Sequence, residues 1–382
     1  MGGIIVDYEK AATGACEKME EAANQFCVKG TPSECRRYGS GHINDTFLFR
    51  TEDGEQGHSY ILQRMNTHVF QNPKGLMQNI SGVTAYLRER IIREGGDPQR
   101  ETLTLVKTKD GEDYYVDSMG SWWRMYLFIT DAVGYDTAEK EDVFYQSAKA
   151  FGHFQRLLDQ YPVELLTETI PDFHNTPKRF EAFRRAAEED VCGRAASVGS
   201  EITFVMDRRS ELSVVADRLE GGEIPHRVTH NDTKLNNVLI DSRSGQAVCV
   251  IDLDTVMPGT AVFDFGDSIR FGANTAEEDE RDLSKVSLSL PLYEVYTKGF
   301  LEGCGGSLTD AEVRLLPWGA KLMTLECGMR FLTDYLEGDK YFRIHRPEHN
   351  LDRARTQFAL VSDMERKWDE MSALPLRIHS IL

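Results

Sequence analysis

No stretch of the 382 residues approaches 18 consecutive apolar positions, and the opening MGGIIVDYEKAATGACEKME has no basic cluster ahead of an apolar run. Such a sequence is expected to be neither membrane-spanning nor secreted, and to reside in the cytoplasm. Cysteine is scarce and badly spaced for structural work: seven thiols, an odd number, with no CxxC pair. That spacing argues against a disulfide framework and against a structural zinc site. Cations are the minority charge, 44 Lys and Arg against 62 Asp and Glu, for a net charge of −18. An acidic surface repels phosphate backbones and anionic headgroups, so neither nucleic acid nor membrane is expected as a partner. Internal repeats and low-complexity tracts are also missing, and the chain reads as folded; a monomer is the expected state.

What is present falls into two parts. After a helical stretch within residues 5–29, the chain reads as strands from about Cys35, with runs at Thr46 to Arg50 and Tyr60 to Met65 flanking an Asp53-Gly54 turn. A helix is expected from Pro73 to Glu94, then strand-like runs at Leu103 to Lys107, Tyr114 to Asp117 and Trp122 to Phe128. Beyond Ile129 helical periodicity dominates: Glu141 to Leu158, Lys178 to Ser197, Glu201 to Leu219, Ser289 to Phe300 and Thr309 to Tyr335. The expected architecture is α+β and two-lobed. Residues 1–128 form an antiparallel-sheet lobe, the candidate nucleotide-binding lobe in the light of the motif and resemblance given below, and residues 129–382 a larger helical lobe. Set inside the second is a small hairpin, Asn237 to Asp241 and Ala247 to Asp252.

The polar residues of RVTHNDTKLNNVLIDSRSGQAVCVIDLDTVMPG gather at the ends of that hairpin. His230-x-Asp232, then Asn237 five residues on, then Asp252 on the following strand, has the spacing of a kinase catalytic loop. The chemistry explains the spacing. A hydroxyl must lose its proton to a carboxylate while oxygen ligands hold magnesium at the triphosphate, all around one γ-phosphate. Asp232 is the candidate base; Asn237 and Asp252 are the candidate magnesium ligands, and the cofactors expected are ATP and Mg2+. Single Asp and Asn residues before a strand also serve as turn residues; it is the joint register that points to chemistry. His230 is expected to brace backbone, as is Asp264 in FDFGDS.

HNDTKLNN, followed by VIDLDTVMPG and FDFGDSIRFG, resembles the aminoglycoside phosphotransferase and choline kinase superfamily of protein-kinase-like fold. Taken in order, GSGHINDTF, YILQRMN, LFITDAVGY, RVTHNDTKLNNVLID, IDLDTVMPG, ECGMRFLTDYLEGD and PEHNL are similar to the N-acetylhexosamine 1-kinases, from about Tyr38 to Leu360. This resemblance implies ATP-dependent phosphorylation of the anomeric hydroxyl of GlcNAc or GalNAc, in salvage of lacto-N-biose and galacto-N-biose. It also implies that His42, Arg330 and Tyr341 reach the sugar and that Phe271 lies near the pocket. Arg330 follows Glu326 by four residues, so an ion pair along one helix is the plain alternative for it. Another small alcohol, of aminoglycoside, choline or methylthioribose type, is the competing acceptor class; a silent nucleotide-binding module is the competing reading of the whole.

Two departures bear on the nucleotide. Gly39-x-Gly41 lets backbone approach phosphates but lacks the third glycine of the protein-kinase loop, and a hairpin turn explains it equally well. Gln63 stands where the phosphate-binding lysine of the third strand belongs; it can hydrogen-bond but carries no charge, and Arg64 is expected on the opposite face. Either magnesium carries more of the phosphate charge than usual, or another cation approaches.

Overall fold

A computed structural model of the chain describes residues 5–6, 13–39, 43–54, 56–137 and 141–382. They form two compact units: Met1–Ala132 with Glu164–Ile170 and Val248–Met257, and Val133–Val163 with Pro171–Ala247 and Pro258–Leu382.

The smaller unit is built on a six-stranded sheet. Its strands are β1 (Ile5–Val6), β2 (Thr31–Arg37), β3 (Asp45–Asp53), β4 (Gln56–Arg64), β5 (Tyr115–Val116) and β6 (Trp122–Leu127), in the order β1-β2-β3-β4-β6-β5. Neighbours run antiparallel except at the β1–β2 edge, which is parallel. Period-two alternation assigns the faces. Phe47, Phe49, Tyr60, Leu62, Trp123 and Met125 turn to one side and pack with Met19, Ala22 and Phe26, the first two from helix α1 (Thr13–Ala23) and the third just beyond it. The other face carries Thr46, Gln63 and Arg124 in cross-strand register. Helix α2 (Pro73–Arg93) starts where its sequence says it should: Asn72 accepts the Gly75 N–H at 3.0 Å and Pro73 takes the first turn, where its missing N–H costs nothing. The strand expected at Leu103 to Lys107 is reduced to a single bridge, Leu105 to Tyr126.

A short strand, β7 (Ala132–Val133), leads into the larger unit. There follow α3 (Glu141–Leu157), α4 (Thr176–Glu189), α5 (Gly199–Asp207), α6 (Val214–Glu220), β8 (Arg227–Thr229) and β9 (Val238–Asp241); β10 (Ala247–Val250) falls mostly in the segment Val248–Met257 of the smaller unit, and β11 (Met257–Gly259) returns the chain to the larger one. Helices α7 (Ala261–Gly272), α8 (Leu290–Cys304), α9 (Asp310–Glu337), α10 (His349–Arg366) and α11 (Trp368–His379) complete the chain. The expected helix over 178–197 stops at Glu189 because Asp190 turns left-handed, with φ 40°. The 201–219 stretch is likewise broken, into α5, a turn of 3₁₀ helix and α6.

Helix α9 is the central beam. Thr309 and Glu312 cap its start reciprocally, and it packs on α4, α7 and α10. A Cβ on Gly266 of α7 would lie 2.2 Å from the Gly319 carbonyl oxygen of α9, so only glycine permits this crossing. The close approach sets the depth at which α7 presents Asp264. Among the described residues no helix is long and apolar enough to cross a membrane.

Candidate active site

In the larger unit, the loop between β8 and β9 is held from several sides. Asp264 is 2% exposed; its Oδ2 accepts the His230 N–H and its Oδ1 the Asn231 N–H, both at 2.8 Å, and Gln155 of α3 donates to Oδ2 at 2.8 Å. Burial pushes the Asp264 pKa up, while His230 and the donated hydrogen bonds pull against it. The brace lets Asn231 hold a left-handed φ of 62°, a conformation that Asn tolerates better than most residues. His230 is fully buried, edge-on to Phe151 and Phe154, and its Nδ1 accepts the Asp232 N–H at 3.3 Å. His230 thus fixes backbone. Thr233 donates to the Asp264 carbonyl at 2.5 Å, and Ser268 to the Thr233 carbonyl at 2.7 Å.

The Asp232 side chain lies at the surface of this rigid loop. Lys234 Nζ sits 2.7 Å from its Oδ1, and Asn237 Nδ2 donates to its Oδ2 at 3.2 Å and to its carbonyl at 2.8 Å. Burial opposes charge on Lys234, but Asp232 and Asp267 outweigh it and hold the ammonium pKa above its ordinary value. The Asn237 amide nitrogen is thus committed to Asp232. Lys234 was not singled out from sequence, although its place two residues after Asp232 was the available signal.

A second cluster in the same unit gathers Arg330 and Tyr341. The Arg330 guanidinium lies over the rings of Phe173, Tyr341 and Phe342 at 5.7, 5.9 and 5.5 Å from their centroids. Glu326, four residues earlier, is buried and engaged elsewhere: it meets His174 Nδ1 at 3.0 Å and accepts from Thr176 at 2.6 Å. His174 Nε2 in turn lies 3.3 Å from the Asn231 carbonyl, which ties α9 to the loop between β8 and β9. Nothing in the sequence marks His174 for this. Arg179 donates to the Phe173 carbonyl at 3.0 Å; burial, then the charge of Arg330, lowers its pKa. Tyr341 is 69% exposed, on a loop pinned by Asp334, which accepts the N–H groups of Lys340, Tyr341 and Phe342 at 2.8 to 2.9 Å. Phe271 stands at the end of α7, also exposed.

In the smaller unit, Gln63 donates from Nε2 to Thr46 Oγ1 at 3.0 Å and accepts from Arg124 Nε at 2.9 Å. Arg64 turns to the other face and pairs with Asp45 at 2.5 Å. Gly39 has a φ of 78°, the region that favours glycine. Asp252 is exposed and left-handed, φ 58° and ψ 62°, at the head of a short 3₁₀ turn, Leu253–Thr255. His42 and Gly41 lie outside the described residues.

An antiparallel-sheet unit, a helical unit and an Asp–Asn loop braced by a buried carboxylate define a protein-kinase-like phosphotransferase fold. Residues 34–294, more than half of the chain, match the phosphotransferase enzyme family, and the chain belongs to that family. Three solved structures share the fold. An aminoglycoside phosphotransferase from Alicyclobacillus acidocaldarius is similar at 14% identity, with 94% of this chain and 96% of that one covered and a TM-score of 0.58. Choline kinase from Cryptosporidium parvum matches at 15% identity over 96% and 97%, TM-score 0.52. A spectinomycin phosphotransferase, solved with ADP and spectinomycin, matches at 12% over 93% and 99%, TM-score 0.53.

Proposed function

We propose that this phosphotransferase is a magnesium-dependent ATP kinase that phosphorylates the anomeric hydroxyl of N-acetylhexosamines, GlcNAc or GalNAc, to the sugar 1-phosphate. The observation that carries the acceptor class is the Arg330 cluster, which combines two guanidiniums, Arg179 and Arg330, with the exposed ring of Tyr341. A sugar needs donors for its hydroxyls and acetamide and an apolar surface for its ring. Two adjacent cations disfavour choline and aminoglycosides, which are themselves cationic.

Asp232 takes the proton of the attacking hydroxyl. Asn237 and Lys234, the latter an ammonium at 2.7 Å, hold the Asp232 carboxylate in orientation for the incoming hydroxyl. His42, Arg330, Tyr341 and Phe271 position the sugar, and Gly39, Gly41 and Gln63 face the nucleotide. Asn237, through its amide oxygen, and Asp252, through its exposed carboxylate, would hold magnesium. A magnesium ion held by these two side chains would keep several waters and take its remaining oxygens from the phosphates. Bound there, magnesium would neutralise charge on the transferring phosphoryl group.

Incubation of the protein with ATP, magnesium and each sugar, followed by phosphorus NMR, is expected to give a phosphate coupled to an anomeric proton. A phosphate on choline or an aminoglycoside, with none on either sugar, would refute the reading.

A further inference from the structure

The missing strand lysine leaves a question of where its charge went. Pairing of β4 with β6 sets Arg124 directly opposite Gln63, so both side chains lie on one face of the sheet. Arg124 is 1% exposed, and Gln63 accepts from its Nε at 2.9 Å. Thr46 orients the Gln63 amide so that the oxygen faces the guanidinium. One terminal nitrogen of Arg124 forms an ion pair with Asp254, itself 4% exposed. The other Asp254 oxygen accepts from Asn44 Nδ2 at 2.6 Å, and Asn44 Oδ1 accepts the Asn66 N–H at 2.9 Å. Asp254 lies in the turn headed by Asp252. On the far side of that turn Asn79 of α2 donates to the Val256 carbonyl at 2.9 Å. The segment carrying Asp252 is therefore clamped at Asp254 and at Val256, and the clamp allows a left-handed aspartate to persist.

We propose that Arg124 is a positioning residue for the metal site. Through Asp254 it holds the turn that presents the Asp252 carboxylate, and it does not itself receive the nucleotide phosphates. Its enclosure and its buried counter-anion both point this way: the pair is neutral as a unit, and withdrawing the arginine toward a phosphate would strand a buried carboxylate. Arg124 is then not the second cation that the loss of the strand lysine at Gln63 would call for. The inference rests on the magnesium-dependent chemistry proposed above but not on the acceptor.

The test is calorimetric titration of a non-hydrolysable ATP analogue, with and without Mg2+ and without any acceptor, so that a wrong acceptor assignment cannot affect it. Two variants are compared with the native chain: Arg124→Gln, and Arg124→Met with Asp254→Leu, which leaves no unpaired buried charge and guards against misfolding of the first. Both are expected to raise the magnesium concentration for half-maximal binding roughly 10- to 100-fold, the usual cost of losing a residue that orients a metal ligand. Metal-free binding should stay within about twofold of native, because no phosphate contact is lost. Metal-free affinity falling as far as the magnesium-dependent affinity would overturn the proposal and make Arg124 a phosphate ligand. A folded double variant with native magnesium dependence would overturn it too and reduce the pair to a fold contact.

Discussion

Replacing Asp264 by alanine removes the acceptor for three donors at once: the backbone N–H groups of His230 and Asn231 and the side chain of Gln155. A hydrogen bond to a charged group contributes about 1.5–3 kcal/mol, and a buried donor left unpaired costs about 1–3 kcal/mol. Gln155 can turn to find another partner, but the two backbone groups cannot move without unwinding the loop. The loss should therefore fall near 3–5 kcal/mol rather than at the sum of three bonds. Removal of a buried carboxylate whose pKa is pushed up by burial returns some desolvation energy, which sets the upper limit. Urea denaturation followed by circular dichroism measures the global term. Hydrogen exchange by mass spectrometry over residues 227–238 reads the local one, where protection of the His230 and Asn231 amides should drop. Asp264→Asn should fall between alanine and native, since its oxygen can serve only one of the two amides. Stability within about 1 kcal/mol of native for Asp264→Ala, with unchanged exchange in this loop, would refute the bracing argument.

Asp232→Asn should cost roughly 10²–10⁴ in kcat while nucleotide affinity by calorimetry stays near native; full turnover in this variant would rule out Asp232 as the base. Arg330→Gln is expected to raise the sugar KM roughly ten- to a hundredfold through loss of charged hydrogen bonds, with the ATP KM unmoved in the same steady-state assay. The Asp363 carboxylate is buried but its pKa is held down to about 2, well below the usual carboxylate range, because Lys367, Ser287, Arg366 and the Leu288 N–H more than offset burial. A depressed folded pKa stabilises above the unfolded value and is lost on acidification, so this contribution, about 2 kcal/mol, should vanish as the pH falls from about 4 to about 2. Asp363→Asn should flatten that limb of the stability profile measured by urea titration; an unchanged limb would contradict the assignment.

The loop between β8 and β9 was legible because its information is local: Asp232 and Asn237 lie within one short segment, whereas Asp252, expected on a strand, stands two residues past the end of β10 at the head of a 3₁₀ turn. The alternation of Phe47, Phe49, Tyr60 and Leu62 made the sheet readable in the same way. Helix α7 was missed because positions 261–270 are buried on every side, so it has no apolar stripe to reveal a helical period. Arg124 was missed for another reason. In the run Trp122-Trp123-Arg124-Met125 it looks like a surface residue between two core positions; only the β4–β6 register places it beside Gln63 and only the turn after Asp252 brings Asp254 to it. His174 is similar, since its role depends on meeting Glu326 and the Asn231 carbonyl, far apart in sequence. Long-range pairings of single polar residues leave no periodic trace.

Arg330 illustrates the middle case. Its spacing from Glu326 allowed an ordinary helix ion pair, and what argues otherwise is that Glu326 is consumed by His174 and Thr176 while the guanidinium lies over three rings.

The most direct test of the central claim is phosphorus NMR of the native protein and Asp232→Asn with ATP, magnesium and GlcNAc or GalNAc in parallel. The account predicts a 1-phosphate, recognised by coupling to the anomeric proton, that builds up with the native chain and not with the variant. Intact ATP with both sugars, or a phosphate on a hydroxyl other than the anomeric one, would contradict it.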